Sequence, residues 1–253
     1  MDYDKMPGIR RSDLWLMNRS PAHFRYAMDN PREETPALTF GSAMHKYLLE
    51  KDRFEEDFAV APALDRRTKQ GKEDYAAFVS GLNGQAVITA DEFGQIKLMA
   101  EAVWSHPAAR PYLDGEHEKI YTWIDSQTDE ACKCKVDSIT TLNGERYIAD
   151  YKTTDSCQDG HFESTGRKYG YQFQAGMYTE GVFVNELKDV RFVFIAQEKK
   201  PPYAVRVYYC DKGYVNQGYD KFRELIGLYH ECRVNDAWPG YEEAELLEED
   251  WHE

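Results

Sequence analysis

Asp137, Asp150 and Lys152 are the residues of this chain whose types and spacing best suit chemistry. Asp150 and Lys152 stand two apart in a strand-like stretch. Side chains i and i+2 of a strand share a face and lie roughly 6–7 Å apart. Asp137 stands upstream, and a hairpin signal, Asn143-Gly144, separates it from Asp150. A tight turn there lays the two strands side by side and gathers two carboxylates and one ammonium. Paired carboxylates suit a hard cation such as Mg2+. Cation and ammonium together suit a phosphodiester and the water that attacks it. Taken singly, each aspartate reads as an ordinary charge on a half-exposed strand, so the constellation carries the argument.

Other residues invite the same two-sided reading. His45 closes Gly41-Ser42-Ala43-Met44-His45, on a helix beside its apolar face. Alone it reads as a packed core histidine. Glu118 precedes a strand and alone reads as a surface carboxylate. Gln174 and Tyr178, four apart, share a helix face. Arg66, Arg67 and Lys69 form one basic cluster, and Arg167 and Lys168 another. Such clusters are solvated faces or, beside a metal site, grips for phosphates.

The elements that must position these residues follow from periodicity. Ser12 is expected to cap a short helix through Asn18, and Pro21 and Pro31 bracket a second. Phe40, Met44, Tyr47 and Leu48 follow helical spacing and predict a helix over 38–50. Residues 61–71 read as a polar, basic loop. Thr89 and Glu92 form a capping-box signature that opens a helix to about Trp104. Strand patterns follow at Lys119–Ile124, Ala131–Ile139 and Arg146–Lys152. In the second, Cys132, Cys134 and Val136 alternate with Lys133, Lys135 and Asp137. A helix is expected over about 168–185, strands at Val190–Gln197 and Ala204–Tyr209, and a last helix over about 212–233. This order predicts an α/β (α+β) fold with a central mixed β-sheet flanked by helices.

Composition narrows the class. The chain of 253 residues is 42% hydrophobic and 14% aromatic, enough for one sizeable core, which argues against global disorder. Residues 1–240 read as a single domain and 241–253 as an acidic tail. No apolar run approaches the length of a membrane span, and residues 1–5 do not resemble a secretory leader. The expected location is therefore the cytoplasm. Cys132, Cys134, Cys157, Cys210 and Cys232 lack zinc-finger spacing and read as reduced thiols. The net charge of −14 looks wrong for a nucleic-acid protein. Half of it lies in residues 241–253, which hold seven acids and no Lys or Arg. The tail reads as a solubilising end, or as a docking segment or mimic of DNA charge.

Read in order, Gly41-x-x-x-His45, Glu118, Val136-Asp137, Asp150-Tyr151-Lys152 and Gln174-x-x-x-Tyr178 resemble the motif series of PD-(D/E)XK nucleases of the RecB-like branch. The similarity is closer to the phage and prophage exonucleases typified by exodeoxyribonuclease VIII (RecE). Further stretches that resemble this group are Val60-Ala61-Pro62 with the Arg66-Arg67-Thr68 loop, Val87-Ile88-Thr89, Cys132-Lys133-Cys134-Lys135-x-Asp137 and Ala149–Thr154. The resemblance runs from about residue 10 to Pro239 and implies a restriction-endonuclease-like core.

By that resemblance the protein is expected to be a Mg2+-dependent 5′→3′ exonuclease on linear double-stranded DNA, with Mn2+ able to substitute. It would act in a bacterial host cell and leave 3′ single-stranded tails for a RecT-like single-strand annealing protein. A ring-shaped homo-oligomer, a tetramer by preference, is implied as well. Asp137 and Asp150 would be metal ligands, joined by the Tyr151 backbone carbonyl, with His45 and Glu118 completing or supporting a second position. Lys152 would orient or deprotonate the attacking water. Gln174 and Tyr178 would contact DNA or position the active-site helix, and Arg66, Arg67, Lys69, Arg167 and Lys168 would hold phosphates. Two other readings stay open. One is a different RecB-like or CRISPR-associated nuclease, often built around a four-cysteine iron–sulfur cluster. The other is a DNA-end binding module without catalysis.

Overall fold

The structure is a computed structural model that describes residues 3–31 and 35–241. The acidic tail predicted from the sequence lies, apart from Tyr241, outside the described residues. Strands are β1 Ile9–Arg10, β2 Phe58–Val60, β3 Ala86–Ile88, β4 Glu116–Ile124, β5 Ala131–Leu142, β6 Glu145–Thr154, β7 Val190–Glu198 and β8 Val205–Cys210. Helices are α1 Arg11–Leu14, α2 Pro21–Asp29, α3 Pro36–Leu49, α4 Phe54–Asp57, α5 Lys69–Ser80, α6 Ala90–Ser105, α7 Arg110–Leu113, α8 His161–Tyr169, α9 Tyr171–Glu186 and α10 Lys212–Asn235.

A mixed sheet runs β1-β5-β6-β7-β8, with β4 on the other edge of β5. β5 pairs antiparallel with β4 and β6, while β6 and β7 run parallel, joined by the α8–α9 crossover. Both faces of β6 and β7 are covered. Ile148, Phe192 and Phe194 join the core that includes Phe173, Phe222 and Ile226 of α9 and α10. Ala149, Tyr151, Val193 and Ile195 join Met44, Ile96 and Leu113 of α3, α6 and α7. Burial on both faces explains why β7 reads as a continuous apolar run rather than an alternation. The expected mixed sheet flanked by helices is thus the observed architecture. Among the described residues no helix is long and apolar enough to cross a membrane.

Local signals explain most boundaries. Thr89 and Glu92 close a reciprocal capping box at the start of α6, a device worth about 0.5–2 kcal/mol. Asn143 and Gly144 adopt positive φ (51° and 84°), as a type I′ turn requires, and set the β5–β6 register.

Four expectations need correction. Ser12 does not cap a helix: the cap position is Arg10, without a side-chain cap bond, and α1 passes into a 3-10 turn at Trp15–Asn18. The basic segment is not loop throughout, because Thr68 accepts from the Gly71 amide and starts α5 at Lys69. The helix expected over 168–185 is two helices broken at Gly170, whose φ of 68° cannot continue an α-helix. Glu118 does not precede its strand but lies inside β4.

Candidate active site

The site forms where β5 and β6 part. Their ladder runs from the hairpin turn to the pair Ser138–Ala149 and then stops. At the next position Asp137 replaces ladder with side chain: its Oδ2 accepts the Tyr151 amide at 2.8 Å. Further along the same edge of β5, β1 takes over, with Ile9 opposite Cys132 and Arg10 opposite Lys133. A fork thus opens between Asp137 and Lys133, closed at its far end by the N-terminal segment. The buried Lys133 ammonium fixes that segment by donating to the carbonyls of Tyr3 (2.9 Å) and Met6 (2.6 Å).

Glu118 sharpens the fork from the other side. Its φ of 52° is unusual for a residue within a strand. The β4–β5 ladder skips the Glu118–Asp137 position between His117–Ser138 and Lys119–Val136. Faces slip by one here. The His117 ring bonds the carbonyls of Leu49 and Leu113, on the α3 and α7 side. Lys119, two residues on, pairs with Glu186 of α9 on the opposite side. Val136 and Ile139, three apart, likewise pack into one core. Such a conformation costs about 1–3 kcal/mol and persists where its surroundings over-determine it.

The side chains then converge. Asp150 is 2% exposed, and its Oδ1 accepts from Gln174 Nε2 at 2.5 Å. Its Oδ2 forms an ion pair with Lys152 Nζ at 2.5 Å, and Gln174 Oε1 is buried without a partner. That one unmade buried bond costs about 1–3 kcal/mol. His45 Nδ1 stands 3.4 Å from Asp137 Oδ2, with its ring edge-on to Tyr151. Glu118 pairs with Lys135. Burial, and next the charge of Asp150, push the Asp137 carboxyl well above the usual carboxylate range, against the pull of Lys152. Burial, then the nearby Lys152, lower the His45 imidazole to about 4. It is therefore neutral at pH 7 and keeps a lone pair. Burial also raises the Tyr178 phenol, which stays protonated.

A cleft of about 310 Å³ is lined by Asp137, Asp150, Lys152, Gln174 and Tyr178, and also by Tyr3, Arg10, Arg11, Ser12 and Lys135. His45 reaches Asp137 from α3, and Glu118 reaches Lys135 from β4. The predicted basic residues stay apart: none of Arg66, Arg67, Lys69, Arg167 and Lys168 lines the cleft. Arg67 is taken by Asp65, and Arg66 lies over the Tyr75 ring at 3.9 Å. Sequence reading missed Tyr3, Arg10, Arg11, Ser12 and Lys135. Lys135 was legible, two positions before Asp137 on one strand face. The others come from a segment tied to the site by β1 and by the Lys133 clasp, contacts that no local pattern in the sequence reports. A larger hollow of about 550 Å³ beside Tyr47, Trp104 and His117 contains none of the predicted site residues.

Among the described residues, no three His, Cys, Asp or Glu side chains gather closely enough to hold a metal by themselves. Lys152 and Lys135 stand beside Asp150 and Glu118. Two features nevertheless fit a cation at Asp137 and Asp150. Asp150 Oδ2 is buried with a lysine ammonium, a monovalent cation, already against it, and the charge of Asp150 raises the cost of ionising Asp137. All five cysteines are free.

Residues 11–250 match the family described as a PDDEXK-like domain of unknown function (DUF3799). A solved structure from Eubacterium rectale, of a protein provisionally named an exonuclease, superposes with a TM-score of 0.66 at 16% identity. The match covers 96% of this chain and 90% of that one. A second structure, SSO0001, covers 74% of this chain and 85% of its own at 16% identity, with a TM-score of only 0.32. A search of curated proteins gives no match.

Proposed function

The chain belongs to the PDDEXK-like family DUF3799, and from that premise we propose that it is a Mg2+-dependent nuclease acting as a 5′→3′ exonuclease on linear double-stranded DNA. The observation that carries this reading is the fork itself, where the Asp137 and Asp150 carboxylates meet and Asp150 Oδ2 faces the Lys152 ammonium.

Asp137, Asp150 and the Tyr151 carbonyl would hold the metal, with His45 and Glu118 at a second position. Bound there, Mg2+ or Mn2+ would acidify a water and neutralise charge developing on the phosphate. The chain's own residues supply the rest. Gln174 fixes the Asp150 carboxylate through Oδ1 and leaves Oδ2 directed at Lys152. Lys152 Nζ orients the attacking water and offsets phosphate charge. The Tyr151 amide holds Asp137 in place. Neutral His45 adds a nitrogen donor without adding charge.

In the same reading the products are 3′ single-stranded tails passed to a RecT-like annealing protein, and the working form is a ring-shaped homo-oligomer, with four subunits favoured. Linear duplex labelled at the 5′ or the 3′ end, beside a covalently closed circle, tests the activity. Release of the 5′ label as mononucleotide is expected with Mg2+ and not with EDTA, with the circle spared. Asp150→Asn should abolish release while circular dichroism stays unchanged. Cutting of the circle would make the protein an endonuclease. An active Asp150→Asn variant would remove this site assignment.

A further inference from the structure

Besides Lys152 the cleft is lined by Arg10, Arg11 and Lys135, and the proposed hydrolytic machinery leaves Arg11 unused. Arg10 and Arg11 are neighbours, yet their surroundings differ. The Arg10 guanidinium is taken by Asp4 and Asp13 at 2.7 and 2.8 Å. Arg11 has no carboxylate within ion-pair distance among the described residues. Its Nη2 donates to the backbone carbonyls of Gly170 (2.9 Å) and Tyr169, where α8 breaks into α9. Its Nε is buried without a partner, and its Nη1 makes no hydrogen bond among the described residues. Two carbonyls fix the guanidinium in place but do not balance its charge.

An arginine half-buried, with its Nε sealed off and no paired carboxylate, keeps hydrogen-bonding capacity and charge for an anion to meet. Burial lowers its pKa, and Asp150 is near enough to oppose that shift. The visiting anion would therefore sit beside the proposed metal-binding carboxylates. Ser12, the next residue, lines the same cleft and can add a hydroxyl donor. The planar guanidinium fork matches two oxygens of a phosphate. We propose that Arg11, assisted by Ser12, forms a phosphate subsite for a phosphate of the bound strand other than the scissile one. The inference rests on the nuclease reading, and the phosphate is either the strand's terminal monoester or an internal diester.

The test is anisotropy of short fluorescent duplexes bearing 5′-phosphate or 5′-hydroxyl ends. Ca2+ replaces Mg2+, and salt is varied. Arg11→Gln is expected to weaken binding about tenfold and to lower the slope of log K against log salt by about 1, one phosphate contact. Arg11→Lys keeps the charge and loses the fork, so about a threefold loss with an unchanged slope is expected. It carries the test alone if thermal unfolding shows that Arg11→Gln does not fold. A loss confined to the 5′-phosphate duplex assigns the terminal monoester, and an equal loss on both assigns an internal diester. Variants that bind both duplexes like the wild type, in a protein that cleaves DNA, overturn the subsite and leave the nuclease reading standing. A wild type that neither binds nor cleaves DNA removes both.

Discussion

Lys152 holds the place beside Asp150 Oδ2 that an attacking water and a cation would share. Its Nζ is also the ion-pair partner of the buried Asp150 carboxylate, so Lys152→Ala should cut cleavage about 10²–10⁴-fold and also lower the melting temperature of the metal-free protein, read by paired kinetics and thermal melts. Asp137 makes a different prediction. Its raised carboxyl keeps a proton to higher pH in the folded chain than in the unfolded one, where the group titrates near 3.9. The stability this contributes is complete below that value and is lost as pH rises through the folded pKa. The metal-free protein should therefore melt lower at pH 8 than at pH 5. Saturating Mg2+ at about 100 times its Kd should return about 2.7 kcal/mol. Asp137→Asn should flatten the pH trend, abolish the gain from Mg2+ and end cleavage. If Asp137→Asn keeps the same pH trend, Asp137 is not its source.

At the scale of elements, the site depends on how α9 is clamped to the sheet. Glu186, at the end of α9, accepts from Tyr121 (2.5 Å), Arg146 (3.0 and 3.1 Å) and Lys119 (3.3 Å). Burial would raise its carboxyl, but the hydrogen bonds from Arg146 and Tyr121 outweigh it and hold the group at about 2. That contribution is present above the unfolded value near 4.5 and is lost as pH falls through about 2. Glu186→Gln should therefore cost about 1.5–3 kcal/mol at pH 7, and the difference should shrink as melts are taken toward pH 2. At the other side of α9, Gly176 meets Gly218 of α10 so closely that a Cβ on Gly218 would stand 1.7 Å from the Gln172 carbonyl.

The hairpin carrying Asp137, Asp150 and Lys152 was legible in the sequence because its determinants are local: Asn143-Gly144 and a period of two. The slip of faces at Glu118 was not legible, since it arises from packing against α3, α7 and α9 at once. The break at Gly170 hides inside an otherwise continuous helical pattern. Arg11 meets Gly170 across 159 residues, a separation no periodicity reports.

For the whole molecule, charge is the property the fold leaves unresolved. Without residues 242–253 the chain has 31 basic against 38 acidic residues, so half of the −14 belongs to the tail. A protein ending at Tyr241 should bind duplex DNA more tightly than the full chain at low salt, with the gap closing near 1 M, where the Debye length is about 3 Å. Equal affinity at every salt concentration would confine the tail to solubility or partner docking, and pull-down of an annealing protein by both forms would separate those two.

The three-carbonyl clasp on Lys133, which includes Asp4 at 3.5 Å, also holds one wall of the cleft. Tyr3 lines that cleft with Arg10, Arg11 and Ser12, whereas Lys133 does not. A substitution at Lys133 would therefore reshape the cleft without touching any side chain that lines it.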